Sequence, residues 1–595
     1  MSSALELLER LPAEHQRALL ALLLNRTEPE VIAPALEGWA RVATPEERRS
    51  VTSWLAHPVA EVRAAAVKVL AHAPMEEVFS TLLPLADDRA AQVRAAVAEG
   101  FLRGGNEPLR ERAIQIVSAL SRSEDEGERR IAARVIGSGN TPALGTALSI
   151  LLKDRSVNVR VAAIRAVGTG RYEALRPMLY GYLTDHSVYT ATARTLAGFE
   201  REVCRDAQRY FSRFPEDRRI CYALPAVLAH VGDPEAVKAL EAGLRVADPA
   251  LRQHIGRSLM TRVRQGLPGR VSPVLAERVL DELTERAKRL DTILRAFSHD
   301  DRLRDAHRIL ASERGSVEDA VVVWLNVAYL DQPMMDLVAK TRHGDAFQQG
   351  TGRELLEQVA GVERAQAVLA VLAPGKGKTD GLPLSMAVMA ALSDPWAWSQ
   401  VVGAASAVKL DLTQVVPIME SGAPPSELVQ RIWRSAVRQL RHGGSDDHQH
   451  EGNGEPMWTQ VERVMALKAV PLFSGLEVED IWQLAGIVEE AKASAETQLL
   501  IEGQPGQALH IILSGEVAVH HGEQVIATLK PGDVFGEMSI LDDAPVSASV
   551  TAISEVTLFR LASGPFYALL ASHFEIARAI IRTLTRRLRQ STVAR

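Results

Sequence analysis

GQPGQALHIILSGEVAV occupies residues 503–519, and its reading separates the end of the chain from everything before it. HIIL (510–513) and VAVH (517–520) are short apolar runs, and Ser514-Gly515 between them is a turn signal. Further runs follow at the same short spacing: VIATL (525–529), then SVTAI and VTLFRL within 549–561. The breaks fall at His521-Gly522-Glu523 and Pro531-Gly532-Asp533. Short strands divided by Gly, Pro and Asp turns predict a β-barrel or sandwich. Upstream, 457–490 reads as helical with Pro471 interrupting it, and a last helix is expected from about Pro565 to Gln590.

Taken with PGDVFGEMSIL (531–541), the quoted stretch resembles the cyclic-nucleotide-binding domain. That family includes regulatory subunits of cyclic-AMP-dependent kinase, cyclic-nucleotide-gated channels and bacterial catabolite activators. The resemblance covers about 458–590, and Pro471-Leu472-Phe473 matches the family's entry into its N-terminal helices. Gly503, Gly506, Gly515, Gly532 and Gly536 fall where the family places turn glycines. It implies a jelly-roll-like barrel with flanking helices and assigns roles in FGEMSILDDAPVSASV (535–550). Phe535 packs beneath the cassette. Gly536, Met538 and Ser539 offer backbone amides, the latter two at the start of a short helix, where an anion is favoured. Glu537 accepts from a ribose 2′-hydroxyl or, on the other reading, only caps the fold.

The family's phosphate-pairing arginine comes nine residues after that glutamate, where this chain has Val546. Pro545, Ser547, Ala548, Ser549 and Val550 keep the family's surrounding pattern, and Ser547 stands where a hydroxyl favours guanine in some relatives. Losing one partner of a buried charge pair costs about 2–5 kcal/mol, or roughly one and a half to three and a half decades of affinity. Asp542 and Asp543 add negative charge, while Lys530, Arg578, Arg582 and Arg586 are the candidate replacement cations. Ordinary cyclic AMP or cyclic GMP is therefore not expected to bind tightly. A cyclic nucleotide remains the only ligand or cofactor the cassette brings into question. The catabolite activators follow their last helix with a helix-turn-helix; none is read here, so a transcription factor of that type is not expected. The basic stretch RTLTRRLRQ (582–590) either caps the last helix or meets an acidic partner.

The first two-thirds of the chain repeats itself. HPVAEVRAAAVKVL (57–70), RAAQVRAAVAEGFL (89–102), GERRIAARVIG (127–137) and RSVNVRVAAIRAVG (155–168) align, with Arg63, Arg94, Arg130 and Arg160 in equivalent places. Thr190, Arg219 and Arg252 mark fainter copies. Each copy joins an apolar helix to a second helix through an Asp, Gly or Pro turn such as LADD (85–88). One helix pair cannot bury its apolar face alone, so stacking is required. The pattern resembles HEAT repeats and implies an all-α solenoid over residues 1–260. The aligned arginines either tie each helix to a turn carboxylate or form a ladder for phosphates. The nearby Glu61, Asp87, Asp88 and Asp154 oppose the second reading.

Residues 261–440 continue as divergent helices and a cap, with VVVWLNVAYL (321–330) too short to span a bilayer. Gly375-Lys376-Gly377-Lys378 lacks the phosphate-loop spacing and reads as a basic loop. RHGGSDDHQHEGNGEP (441–456) is a flexible linker before a domain at 457–595; its His442, His448, His450, Asp446 and Asp447 lack a rigid element to fix a metal site. Cys204 and Cys221 support neither a disulfide framework nor a metal motif. With 24% charged residues and a net charge of −6, nothing asks for nucleic acid or an anionic membrane. MSSALELLER lacks the positive start of a signal peptide, so a cytoplasmic protein is expected. No catalytic constellation is found, although HEAT-like folds also occur in enzymes. The expectation is a bacterial-type, non-enzymatic scaffold that binds protein partners on its solenoid surface. The alternative is a signalling sensor whose C-terminal domain binds a nucleotide and repositions the solenoid.

Overall fold

The computed structural model describes residues 12–442, 457–536, 545–572, 577 and 581, except 74, 140, 186, 247, 331, 333, 344–345, 373–381, 423 and 425. The 375–378 loop and the linker from 443 onward lie outside the described residues. Two compact units emerge: Met1–Val246 with Thr261–Arg270, and Ala247–Met260 with Val271–Arg595. The barrel thus shares a unit with the helices from 271 onward, because it packs on them rather than standing apart.

The first unit consists of short helices. Ala60–Leu70, Ala91–Gly104, Glu126–Gly137 and Val157–Thr169 carry the four aligned segments. Each packs on the next, and Tyr189–Ala197 and Arg218–Leu228 continue the series. Val67, Val97, Ile136 and Val167, one from each helix, are fully buried. Small residues permit the close approach. A Cβ on Gly137 would lie 2.8 Å from the Cα of Ala166, and one on Gly168 2.8 Å from Thr195 Cγ2. A larger side chain at either position would push neighbouring helices apart.

In the second unit Pro273–Phe297 and Arg304–Ala328 pack side by side, and Leu384–Leu392 packs on Ala397–Lys409. Asn326, within the apolar run of Arg304–Ala328, satisfies its amide by donating to Val322 O at 2.7 Å. No helix among the described residues is long and apolar enough to cross a membrane. Met457–Lys468 and Val478–Ala485 then lead into the strands.

Among the described residues eight strands form two antiparallel sheets: β1 Glu489–Ala493, β2 Gln498–Leu500, β3 Ala508–Ser514, β4 Val517–His521, β5 Gln524–Leu529, β6 Val534–Phe535, β7 Ser549–Ala552 and β8 Val556–Ala562. The sheet orders are β1-β8-β3-β6 and β2-β7-β4-β5. Ile512, Val517, Phe535, Val550, Ala552, Val556 and Leu558 fill the core. The helical reading of 457–490 overran its end. The helix stops at Ala485, capped by Gly486, and Glu489 opens β1 opposite Arg560, with which it pairs at 3.0 Å. The last helix is described over Ser563–Ser572.

Candidate functional site

β6 delivers the chain to Gly536, the first residue of the cassette. Gly536 has φ +81°, and a Cβ there would lie 2.7 Å from Ala508 O, so this position needs glycine twice over. Glu537, Met538, Ser539, Asp542 and Asp543 lie outside the described residues. The far side of the cassette is tied to the loop before β3. Val546 N–H donates to Gln504 O at 2.9 Å, and Gly503 N–H donates to Val546 O at 2.8 Å. Ser549 Oγ accepts from the Glu502 amide at 3.1 Å. These bonds fix the register of 545–549, and the Val546 side chain is buried at 6% exposure. Ser547 is exposed and Ala548 half-buried.

Sequence reading missed His510. It lies on β3 with Ala508 and Ile512 on the inner face, since alternate residues share a face and Ile512 belongs to the core. Its ring stacks on Phe535 with centroids 4.9 Å apart and planes 10° from parallel. Among the described residues Nδ1 is buried with no hydrogen-bond partner, and the missing Cβ of Gly536 would be 3.7 Å from it. Burial, then the charge of Arg560, pushes its pKa down to about 4. The imidazole is therefore neutral at pH 7 and supplies no charge in place of an arginine. The sequence signal was a titratable residue on the core-facing register of an apolar strand. Of the candidate replacement cations, Lys530 is two-thirds exposed and sits 3.6 Å from Glu516. Arg578, Arg582 and Arg586 fall outside the described residues.

The neck of the barrel is held by buried polar groups. Lys468 Nζ donates to Ser474 O at 2.6 Å and Leu476 O at 2.8 Å, and lies 3.5 Å from Glu313. Trp398 Nε1 donates to the same Leu476 carbonyl at 2.9 Å.

The repeat arginines are committed within the first unit. Arg63 donates to both oxygens of Asp88 at 2.9 Å and to His57 O and Pro58 O. Arg94 donates to Asp88 O and Arg89 O and reaches Glu128 at 3.0 Å. Arg160 donates to Asp154 O, Arg155 O and Ser187 Oγ. The third copy corrects the alignment. Arg129, not Arg130, makes the equivalent contacts, donating to Ser123 O, Glu124 O and both oxygens of Asp154, while Arg130 is exposed. The reason is helix phase. Arg63, Arg94, Arg129 and Arg160 are each fourth in their helices, from which a guanidinium reaches back to the preceding turn. Burial alone would push Asp88 and Asp154 up, but hydrogen bonds from Arg63 and Arg129 hold both carboxyls below their usual range. Among the described residues, no three His, Cys, Asp or Glu side chains converge to hold a metal ion.

Residues 491–573 match the family described as the cyclic nucleotide-binding domain. The cAMP-dependent protein kinase regulatory subunit of Hypocrea atroviridis is 36% identical over 104 residues, covering 18% of this chain and 22% of that protein. The cyclic AMP receptor protein of Thermus thermophilus is 33% identical over 130 residues, covering 21% of this chain and 60% of that protein. The chain thus spans less than two-thirds of either relative. The crystal structure of the N-terminal domain of a transcriptional regulator from Streptomyces coelicolor is 31% identical, covering 22% of this chain and 94% of that one, with a TM-score of 0.21. The C-terminal β-domain is a cyclic nucleotide-binding domain, carried at the end of a mostly helical chain.

Proposed function

We propose that this protein is a non-enzymatic, cytoplasmic scaffold in which a HEAT-like solenoid presents a surface to protein partners. Its C-terminal cyclic nucleotide-binding domain acts as a regulatory module that does not hold cyclic AMP or cyclic GMP tightly. The observation that carries this reading is the buried Val546 at the position where the family resemblance puts the phosphate arginine. The backbone bonds of Val546 to Gly503 and Gln504 support an intact housing around a lost charge. An apolar group there leaves a phosphate oxygen unpaired and desolvated. The successive helix packing of the first unit supports the solenoid, and the committed repeat arginines speak against a phosphate ladder.

Titration calorimetry of the full chain with cyclic AMP and cyclic GMP, beside Val546→Arg, tests the reading. Wild type should be silent and the arginine variant should bind. Micromolar binding by wild type would overturn it. The second reading, a sensor for a different ligand, is favoured by one observation: the unpartnered Nδ1 of His510 beside Gly536. A neutral imidazole there suits an uncharged hydrogen-bonding group better than a phosphate.

A further inference from the structure

Arg308 belongs to the helix Arg304–Ala328, yet its guanidinium donates to Pro531 O at 2.9 Å, across 223 residues of sequence. It also lies against Gly532, whose φ is +91° and where a Cβ would collide with it. Pro531-Gly532 is the turn between β5 and β6, and from there to Gly536 the backbone is held throughout. Gly532 N–H donates to Ile512 O at 2.8 Å, Asp533 N–H to Lys530 O at 2.9 Å, and Ile512 N–H to Asp533 O at 3.0 Å. Val534 then pairs with Ile511, and Phe535 with His510. A displacement of the turn is therefore passed to the cassette's first residue with little slack.

The surroundings give the contact leverage. Clefts of about 520 and 210 Å³ lie between these helices and the outer face of the β1-β8-β3-β6 sheet. The larger is lined by Leu303, Val408, Met465, Leu513 and Phe559. The sheet is not packed continuously on the helices there, so the turn is positioned by a directed hydrogen bond. At the neck the opposite holds, because Lys468 and Trp398 are 2% and 1% exposed.

We infer that Arg308 is a positioning residue for the start of the cassette at Gly536, supplied by the helices rather than by the barrel, and that it couples ligand binding there to the helix Arg304–Ala328. A ligand that needs 531–536 where the Arg308 contact holds it is favoured by that contact, and linkage makes the effect reciprocal. The ligand arm of the test rests on Val546 being the lost cation.

The full-length Val546→Arg variant is titrated with cyclic AMP, alone and combined with Arg308→Ala or Arg308→Lys, and followed by hydrogen exchange. Arg308→Ala should weaken binding by about fivefold or more, and Arg308→Lys, which keeps a donor, should recover part of it. Cyclic AMP should alter exchange within 304–328, and Arg308→Ala should abolish that response. Binding by Val546→Arg with neither effect would overturn the inference while leaving the reading of Val546 intact. If Val546→Arg does not bind, that reading fails and the ligand-free arm decides. Arg308→Ala must then speed exchange across 530–536, and unchanged protection there would refute the positioning role.

Discussion

The ammonium of Lys468 lies 4.4 Å over the ring of Trp398 while donating to two carbonyls of the barrel's neck. Burial pushes the Lys468 pKa down, and Glu313 is the nearest countercharge. Lys468→Met leaves Glu313 without its countercharge and the Ser474 carbonyl without this donor. It should destabilise the second unit by about 3 kcal/mol, as for other broken buried pairs. Lys468→Met with Glu313→Leu should cost less than Lys468→Met alone, because no stranded charge remains. Differential scanning calorimetry of full-length wild type, Lys468→Met, Glu313→Leu and the double variant checks this. A double variant that adds the two single losses would show that the pair is not coupled.

Arg129 and Arg130 are adjacent in sequence and opposite in consequence. Arg129→Ala strips Asp154 and two turn carbonyls of a shared donor and should cost about 3 kcal/mol. Arg130→Ala removes an exposed side chain and should stay within about 0.5 kcal/mol. Asp154 titrates below its usual range when folded, so its contribution is present at neutral pH and fades as the pH falls through that lowered value. The gap between wild type and Arg129→Ala should therefore narrow below about pH 4. Equal losses from the two alanine variants in thermal unfolding would refute the helix phase described above.

Where local pattern carries the information, the sequence was readable. Alternation and turn glycines located β3, β4, β5, β7 and β8, and the Val-Arg-Ala-Ala segments located the repeating helices. β1, β2 and β6 were not legible for physical reasons. Glu489–Ala493 has no apolar alternation because it pairs at a sheet edge, and Gln498–Leu500 and Val534–Phe535 are too short to show a period. Arg130 was preferred to Arg129 because the Arg-x-Ala-Ala spacing matches while the helix begins one residue earlier than that match requires. The cassette motif singled out Gly536, which has a positive φ, and Val546, whose side chain is buried. Arg308 and Lys468 were not, since their partners are set by tertiary packing. His510 looked like an ordinary strand residue until the register placed it on the inner face.

That placement makes His510 a pH-dependent liability. Its pKa is about 4 in the folded barrel, and the unfolded chain takes up the proton near 6.5. Between those values the unfolded state binds more protons, so stability must fall as the pH drops from about 6.5 toward 4. The full effect is up to about 3 kcal/mol, and it levels off once both states are protonated. His510→Phe keeps an aromatic ring against Phe535 and removes the unpartnered Nδ1. It should flatten this part of the pH profile and raise stability at neutral pH, because an unsatisfied buried acceptor is gone. Thermal unfolding of wild type and His510→Phe at half-unit steps from pH 4 to 8 decides the matter. Parallel profiles would mean that the imidazole is hydrated and titrates normally; a widening gap on the acid side would fix it as a buried neutral group inside the barrel.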